Sequence, residues 1–174
     1  MRTILVVLLY GYLDESRPEI ELRGNREYLQ SGAKKAAQLF GSGKLVRVIL
    51  SGGSTVPSMH QSEAENVCPQ FHNDLKMFWY SLAIDLEKAS RNSTQNIANS
   101  IKQAKADCLQ GQFVFVCDRV RWFRVWVLAR RICKSESVRF GGVVGIRRRD
   151  THPHSRWLRQ IILGIYYAFC PYSV

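Results

Sequence analysis

The sequence predicts a three-layer α/β/α sandwich of about five mainly parallel strands, and three observations predict it. Short runs rich in Val, Ile and Leu alternate with longer segments carrying an apolar face, which is the spacing of βα units. Several of those runs are apolar throughout, as strands covered on both faces are. After the second run come paired glycines and a helix start, the arrangement found where a parallel sheet ends at a ligand crevice. The chain has 174 residues with 46% hydrophobic content, enough for one α/β domain over 1-174 with a sizeable core.

Taken in order, Thr3 to Leu9 is a continuous β-branched and Leu run and reads as the first strand. Gly11 to Glu21 is the loop that leaves it. A helix is expected from about Arg23 to Phe40, with Tyr28, Leu29, Ala33, Ala36, Ala37, Leu39 and Phe40 giving it an apolar face and Gly41-Ser42-Gly43 closing it. Leu45 to Leu50 is the second strand. The next helix is expected from Glu63 to about Phe71, interrupted at Pro69 because proline lacks the N–H that a helix interior needs. Ser81 to Glu87 reads as a short third strand, followed by a helix capped by Asn92 or Ser93 and running to about Ala106. Phe113 to Cys117 is the fourth strand and Arg121 to Cys133 the fourth helix. Val138 to Ile146 and Ser155 to Phe169 supply a fifth strand and a closing helix, so that 138-170 completes the sheet. The whole is Rossmann-like.

In such a sheet the loops after successive strands converge on one edge. Three of them carry polar residue types. Ser51-Gly52-Gly53 offers backbone N–H donors, because glycine tolerates positive φ or a close approach to a ligand, and the helix start behind it offers unpaired N–H groups to an anion. Ser90, Asn92, Ser93 and Asn96 add hydroxyls and amides, and Arg121 and Arg124 add guanidiniums suited to bidentate phosphate or carboxylate recognition. Glu63 and Glu87 are the candidate catalytic carboxylates, as acceptors for ribose hydroxyls or as ligands of a divalent metal that bridges to phosphate. Each residue also has a purely structural reading: Glu63 as a first-turn carboxylate that suits the helix dipole, Ser90 to Asn96 as a helix cap.

The ordered set Ser51-Gly52-Gly53, Ser62-Glu63-Ala64, Glu87-x-x-Ser90-Arg91-Asn92-Ser93-x-Gln95-Asn96, then a strand and a basic helix start, resembles the SanA/YdcF-like family of bacterial α/β proteins over roughly residues 3-145. Most of that large family is of unknown function. The sequence has Ser93 where the family motif has Thr, Gln95 where it has Glu, and Arg121 where it has His, while Arg124 matches the family arginine. The histidine position therefore holds a group that binds anions and does not titrate near neutral pH. What the resemblance implies is a small ligand at the sheet edge, with S-adenosylmethionine, a nucleotide or a cell-envelope precursor all open.

The expected function is thus binding, with or without transformation, of a small anionic nucleotide-like or phosphate-bearing ligand. If there is chemistry, it is that of a hydrolase or transferase. The alternative is a non-catalytic interaction protein whose basic late segment docks nucleic acid or another anionic partner, since the chain carries a formal charge of +11. Arg119, Arg121, Arg124, Arg130, Arg131 and Arg147-Arg148-Arg149 crowd its second half, and a solvated rim accounts for them as well as a groove does. Cys68, Cys108, Cys117, Cys133 and Cys170 form no C-x-x-C pair and read as reduced thiols, which with the missing signal-peptide cleavage site suggests a cytoplasmic protein. His152-Pro153-His154 lacks a ligand-spaced acidic or cysteine partner and reads as loop. Trp122, Trp126 and Trp157 read as core or partner surface, with base stacking as the other option.

Overall fold

Residues 1–9, 11–13, 19–55, 60–78, 82–147 and 154–169 are described by the computed structural model. They form β1 (Thr3–Leu8), α1 (Glu19–Gly41), β2 (Leu45–Ser51), α2 (Glu63–Lys76), β3 (Ile84–Glu87), α3 (Ser93–Ala106), β4 (Gln112–Asp118), a 3-10 turn (Arg119–Arg121), α4 (Trp122–Ser135), β5 (Arg139–Ile146) and α5 (His154–Phe169). The strands pair in the order β3-β2-β1-β4-β5 and every pairing is parallel. The expected α/β sandwich is therefore the fold, and the fifth strand completes the sheet beside β4.

The period-2 alternation of the buried strands sorts the core into two layers. Ile4, Val6, Leu8, Ile49, Phe113, Phe115 and Cys117 face α3 and α4, meeting Ile97, Ile101, Leu128 and Ile132. Leu5, Val7, Val48, Leu50, Val114 and Val116 face α1 and α2, meeting Tyr28, Leu29, Ala33, Val67 and Phe71. All six residues of β1 are buried, as expected of a central strand with helices on both faces.

Several boundaries differ from the sequence expectation for identifiable reasons. Helix α1 begins at Glu19, so its first turn carries Glu19 and Glu21 where the dipole favours them. Pro69 lies inside α2, which runs on to Lys76. The loss of one N–H is outweighed there by burial of Val67, Phe71 and Leu75 on the same helix face. The third strand starts at Ile84, and Ser81 lies outside the described residues. A 3-10 turn precedes α4, which moves Arg121 from the first turn of the helix to its N-cap position.

Candidate functional site

The strand order reverses between β1 and β4, and in doubly wound sheets the crevice above that reversal is where ligands sit. On the α1 side it holds the Tyr28 hydroxyl, which lies 2.7 Å from the Leu8 carbonyl oxygen and 3.0 Å from that of Val116 and donates its one proton to either. The loops after β2, β3 and β4 carry the predicted residues.

The loops after β2 and β3 close on each other. Glu87, at the end of β3 and only 4% exposed, accepts hydrogen bonds at Oε1 from the backbone N–H of Ala89 (2.9 Å) and Ser90 (3.1 Å) and from Asn99 Nδ2 (3.3 Å). At Oε2 it accepts from the hydroxyls of Ser51 and Ser90, both at 2.7 Å. A carboxylate has about four acceptor positions, so this one is filled by the protein. Asn96 Nδ2 donates to the Ser51 carbonyl (3.3 Å), and Asn99 Nδ2 to the Ser90 hydroxyl (3.1 Å). Asn92 caps α3 by accepting from Gln95 N–H at 2.9 Å. Ser51, Ser90 and Asn96 are thus committed to a buried bracket that ties the end of β2, the end of β3 and α3 together, while the exposed Asn92 serves as the cap of α3. Asn99, which the sequence reading overlooked, belongs to it; its spacing of three from Asn96 puts both amides on one helix face.

The glycine turn serves the same bracket. Neither Gly52 nor Gly53 has positive φ. A Cβ on Gly53 would lie 2.1 Å from the Ser90 carbonyl oxygen and 2.7 Å from that of Lys88, so it is the approach of the β3–α3 backbone, and no ligand, that requires glycine there. The N–H groups at the start of α2 are also taken: Glu63 N–H donates to Gly53 O (3.1 Å) and Ala64 N–H to Gly52 O (3.0 Å). Glu65 N–H donates to the Ser62 hydroxyl (3.2 Å), and the Glu65 carboxylate returns a bond to Ser62 N–H (2.9 Å), a capping box. The expectation of unpaired donors aimed at an anion fails at this helix, because the turn's own carbonyls reach them first.

Glu63 and Glu87 do not converge. Leu50 packs with α1 and α2, so by alternation Ser51 and its partner Glu87 face α3. Glu63 lies on the other face, beside Leu9 and Gly52, and its Oε1 accepts from the Thr55 hydroxyl at 2.6 Å. Separated by the sheet and each hydrogen-bonded within the protein, the two carboxylates do not fit a shared divalent metal. Among the described residues no three His, Cys, Asp or Glu side chains cluster in a way that could hold one.

The loop after β4 is different in kind. Arg124 Nη2 donates to the Ser93 hydroxyl at 2.6 Å, which joins the start of α4 to the start of α3. Arg121, only 7% exposed, and Arg124 both lie close enough to the Cys117 thiol to favour its anion, against Asp118, which disfavours it. Burial dominates and pushes that thiol up to about 12, so Cys117 is not a nucleophile at neutral pH. Asp118 caps the 3-10 turn by accepting from Val120 N–H at 3.0 Å. Beside the Glu87 bracket, Arg124 thus meets Ser93 at the carboxyl edge, and Arg121 and Arg124 both lie beside Cys117.

Two other features lie away from this corner. A cavity of about 460 Å³ opens in the groove between α1 and α2, lined by Glu19, Arg23, Arg26, Glu27, Gln70 and Asp74, none of them predicted site residues. Trp122 is fixed to β5 through Nε1–H to the Val143 carbonyl (3.0 Å), and Trp126 has Arg130 over its ring at 5.3 Å, so neither ring is laid out as a stacking platform. Cys68, Cys108, Cys117 and Cys133 are free thiols, whereas Cys170, His152 and Pro153 lie outside the described residues. Compared with known proteins, the sequence matches no family model, no curated protein and no solved structure.

Proposed function

We propose that the chain binds a small phosphate-bearing or nucleotide-like anion at the corner formed by Ser93, Arg121 and Arg124. The observation that carries this reading is the buried Arg121 guanidinium at the N-terminal end of α4, with Arg124 one turn on and Ser93 in its grip. A cation at that end of a helix opposes the dipole, and burial adds a desolvation cost. Arg121 and Arg124 both lie beside the end of β4, and paired guanidiniums are the side chains best shaped for a phosphate. The likeness of the sequence motifs to the SanA/YdcF-like family supports the same class of ligand.

The reading is of binding, with no catalytic step assigned. Glu63 and Glu87, the side chains nominated for chemistry, are occupied by internal hydrogen bonds, and the family's histidine position holds Arg121, which cannot serve as a base. The test is a thermal-shift screen of the full chain against nucleotides, sugar phosphates, S-adenosylmethionine and inorganic phosphate. Stabilisation by a phosphate-bearing compound that disappears in Arg124→Ala supports the proposal. No shift with any of them, together with salt-sensitive retention of RNA or DNA, would transfer the arginines to the interaction-protein reading.

A further inference from the structure

Helix α5 is apolar on the side it packs and apolar on the side it does not. Its packed side meets α4 at close range: a Cβ on Gly164 would come within 2.5 Å of the Phe123 ring, and Arg131 Nη1 donates to the Tyr167 carbonyl. At 3.6 residues per turn, Leu158, Ile162, Ile165 and Phe169 fall within roughly 60° of one another on the opposite side. They are respectively 61%, 57%, 48% and 85% exposed. Trp157 and Tyr166 flank this stripe, half-exposed, one on each side. A surface helix ordinarily turns its polar face outward, so a contiguous outward apolar ridge marks a contact surface.

Charge decides what it contacts. After Glu136 the sequence carries Arg139, Arg147, Arg148, Arg149, Arg156 and Arg159 against a single acidic residue, Asp150. Arg159 is exposed on α5 itself, next around the helix from Tyr166, and Arg147 is exposed where β5 ends. A two-fold contact between copies would set these arginines against their own images on two chains of charge +11. An anionic bilayer surface reverses that sign. Apolar side chains entering the headgroup boundary, aromatic residues at its margins and arginines beside lipid phosphates are the division of labour of an interfacial helix. With 16 residues, α5 is too short to cross a bilayer, and no helix among the described residues is long and apolar enough to do so. We propose that α5 seats the protein on the surface of membranes rich in anionic lipid, through Leu158, Ile162, Ile165 and Phe169.

Co-sedimentation of the full chain with vesicles tests this, using phosphatidylcholine alone and phosphatidylcholine mixed with phosphatidylglycerol. The expected result is binding to the mixed vesicles, weak binding to phosphatidylcholine alone, reduction by added salt, and a loss of about tenfold or more in Ile162→Asp. Leu158→Asn is the companion variant should Ile162→Asp melt early, and it is expected to weaken binding in the same sense. The proposal is overturned if the parent ignores the mixed vesicles, or if variants that melt like the parent sediment with them like the parent. It is equally overturned if sedimentation velocity finds a parent dimer that Ile162→Asp dissociates, since a second copy would then cover the stripe.

Discussion

Two loop clusters sit at the same edge of the sheet, yet one is organised around a buried carboxylate and the other around two guanidiniums. Around Glu87, five donors from the protein meet one carboxylate, and the bracket needs nothing from outside. At the N-terminal end of α4, Arg124 donates to the Ser93 hydroxyl and Arg121 lies buried three residues before it. A motif rich in Ser, Asn, Gly and Glu is therefore no indication of a ligand until its internal partners are counted. The arginine pair is the part of the edge whose side-chain chemistry suits a phosphate.

The largest effect that would sharpen this contrast is expected at Glu87. Replacing it with Ala strands the Ser51 and Ser90 hydroxyls and two backbone N–H groups in a buried place, and urea unfolding should report a loss of about 3 kcal/mol or more. A Glu87→Ala protein that melts like the parent and loses ligand instead would invert the assignment of the two clusters. Next comes Gly53→Ala, whose new methyl meets the Ser90 carbonyl; overpacking of this kind costs about 1 to 3 kcal/mol, again in stability.

At the arginine cluster the effect should fall on binding. Arg124→Ala is expected to weaken the anionic ligand by about 1.5 to 3 kcal/mol, the range for a charge-assisted hydrogen bond, as read by titration calorimetry. Arg121→His should retain binding. If both variants bind as the parent does, the two clusters are alike in being structural.

The smallest effect belongs to the capping box of α2. Ser62→Ala should cost about 1 kcal/mol. The Ser62 backbone N–H first, then Lys88 and the Ser62 hydroxyl, hold Glu65 at about 2, below its ordinary value of 4.5. A lowered carboxylate stabilises the fold above its unfolded value, and that contribution fades as pH falls from about 4.5 to about 2. Glu65→Gln should flatten the acid limb of a stability-versus-pH curve in that window, because the variant is less stable than the parent at neutral pH and the two converge as pH falls toward 2.

Why the fold was readable in the sequence while half of the site was not follows from the range of the interactions. Val48-Ile49-Leu50 and Phe113 to Cys117 announce buried strands through local composition, and Asn92 announces a cap three residues from its target. The partners of Glu87 come from β2, from its own loop and from α3, so nothing within a short window tells that its carboxylate is full. Glu87 ends β3 while Glu63 opens α2, and it is the strand's alternation that turns Glu87 toward α3 and the course of the glycine turn that leaves Glu63 beside Leu9. Pro69 misleads in the other direction, a local breaker overruled by the burial of Phe71 and Leu75.

The strand order also has a consequence in time. Residue Val7 pairs with Leu50 on one side and with Val116 on the other. During synthesis β1, β2 and β3 can assemble early, with β1 as an outer strand whose side chains are almost wholly apolar. Its second neighbour follows about a hundred residues later, a delay of roughly 5 to 20 s at ordinary rates of elongation. Through that interval the most apolar strand of the chain is an unpaired edge, the state most prone to pairing with another molecule. The nascent protein should therefore be most dependent on chaperones, or on a slow ribosome, between the appearance of Ser51 and that of Asp118.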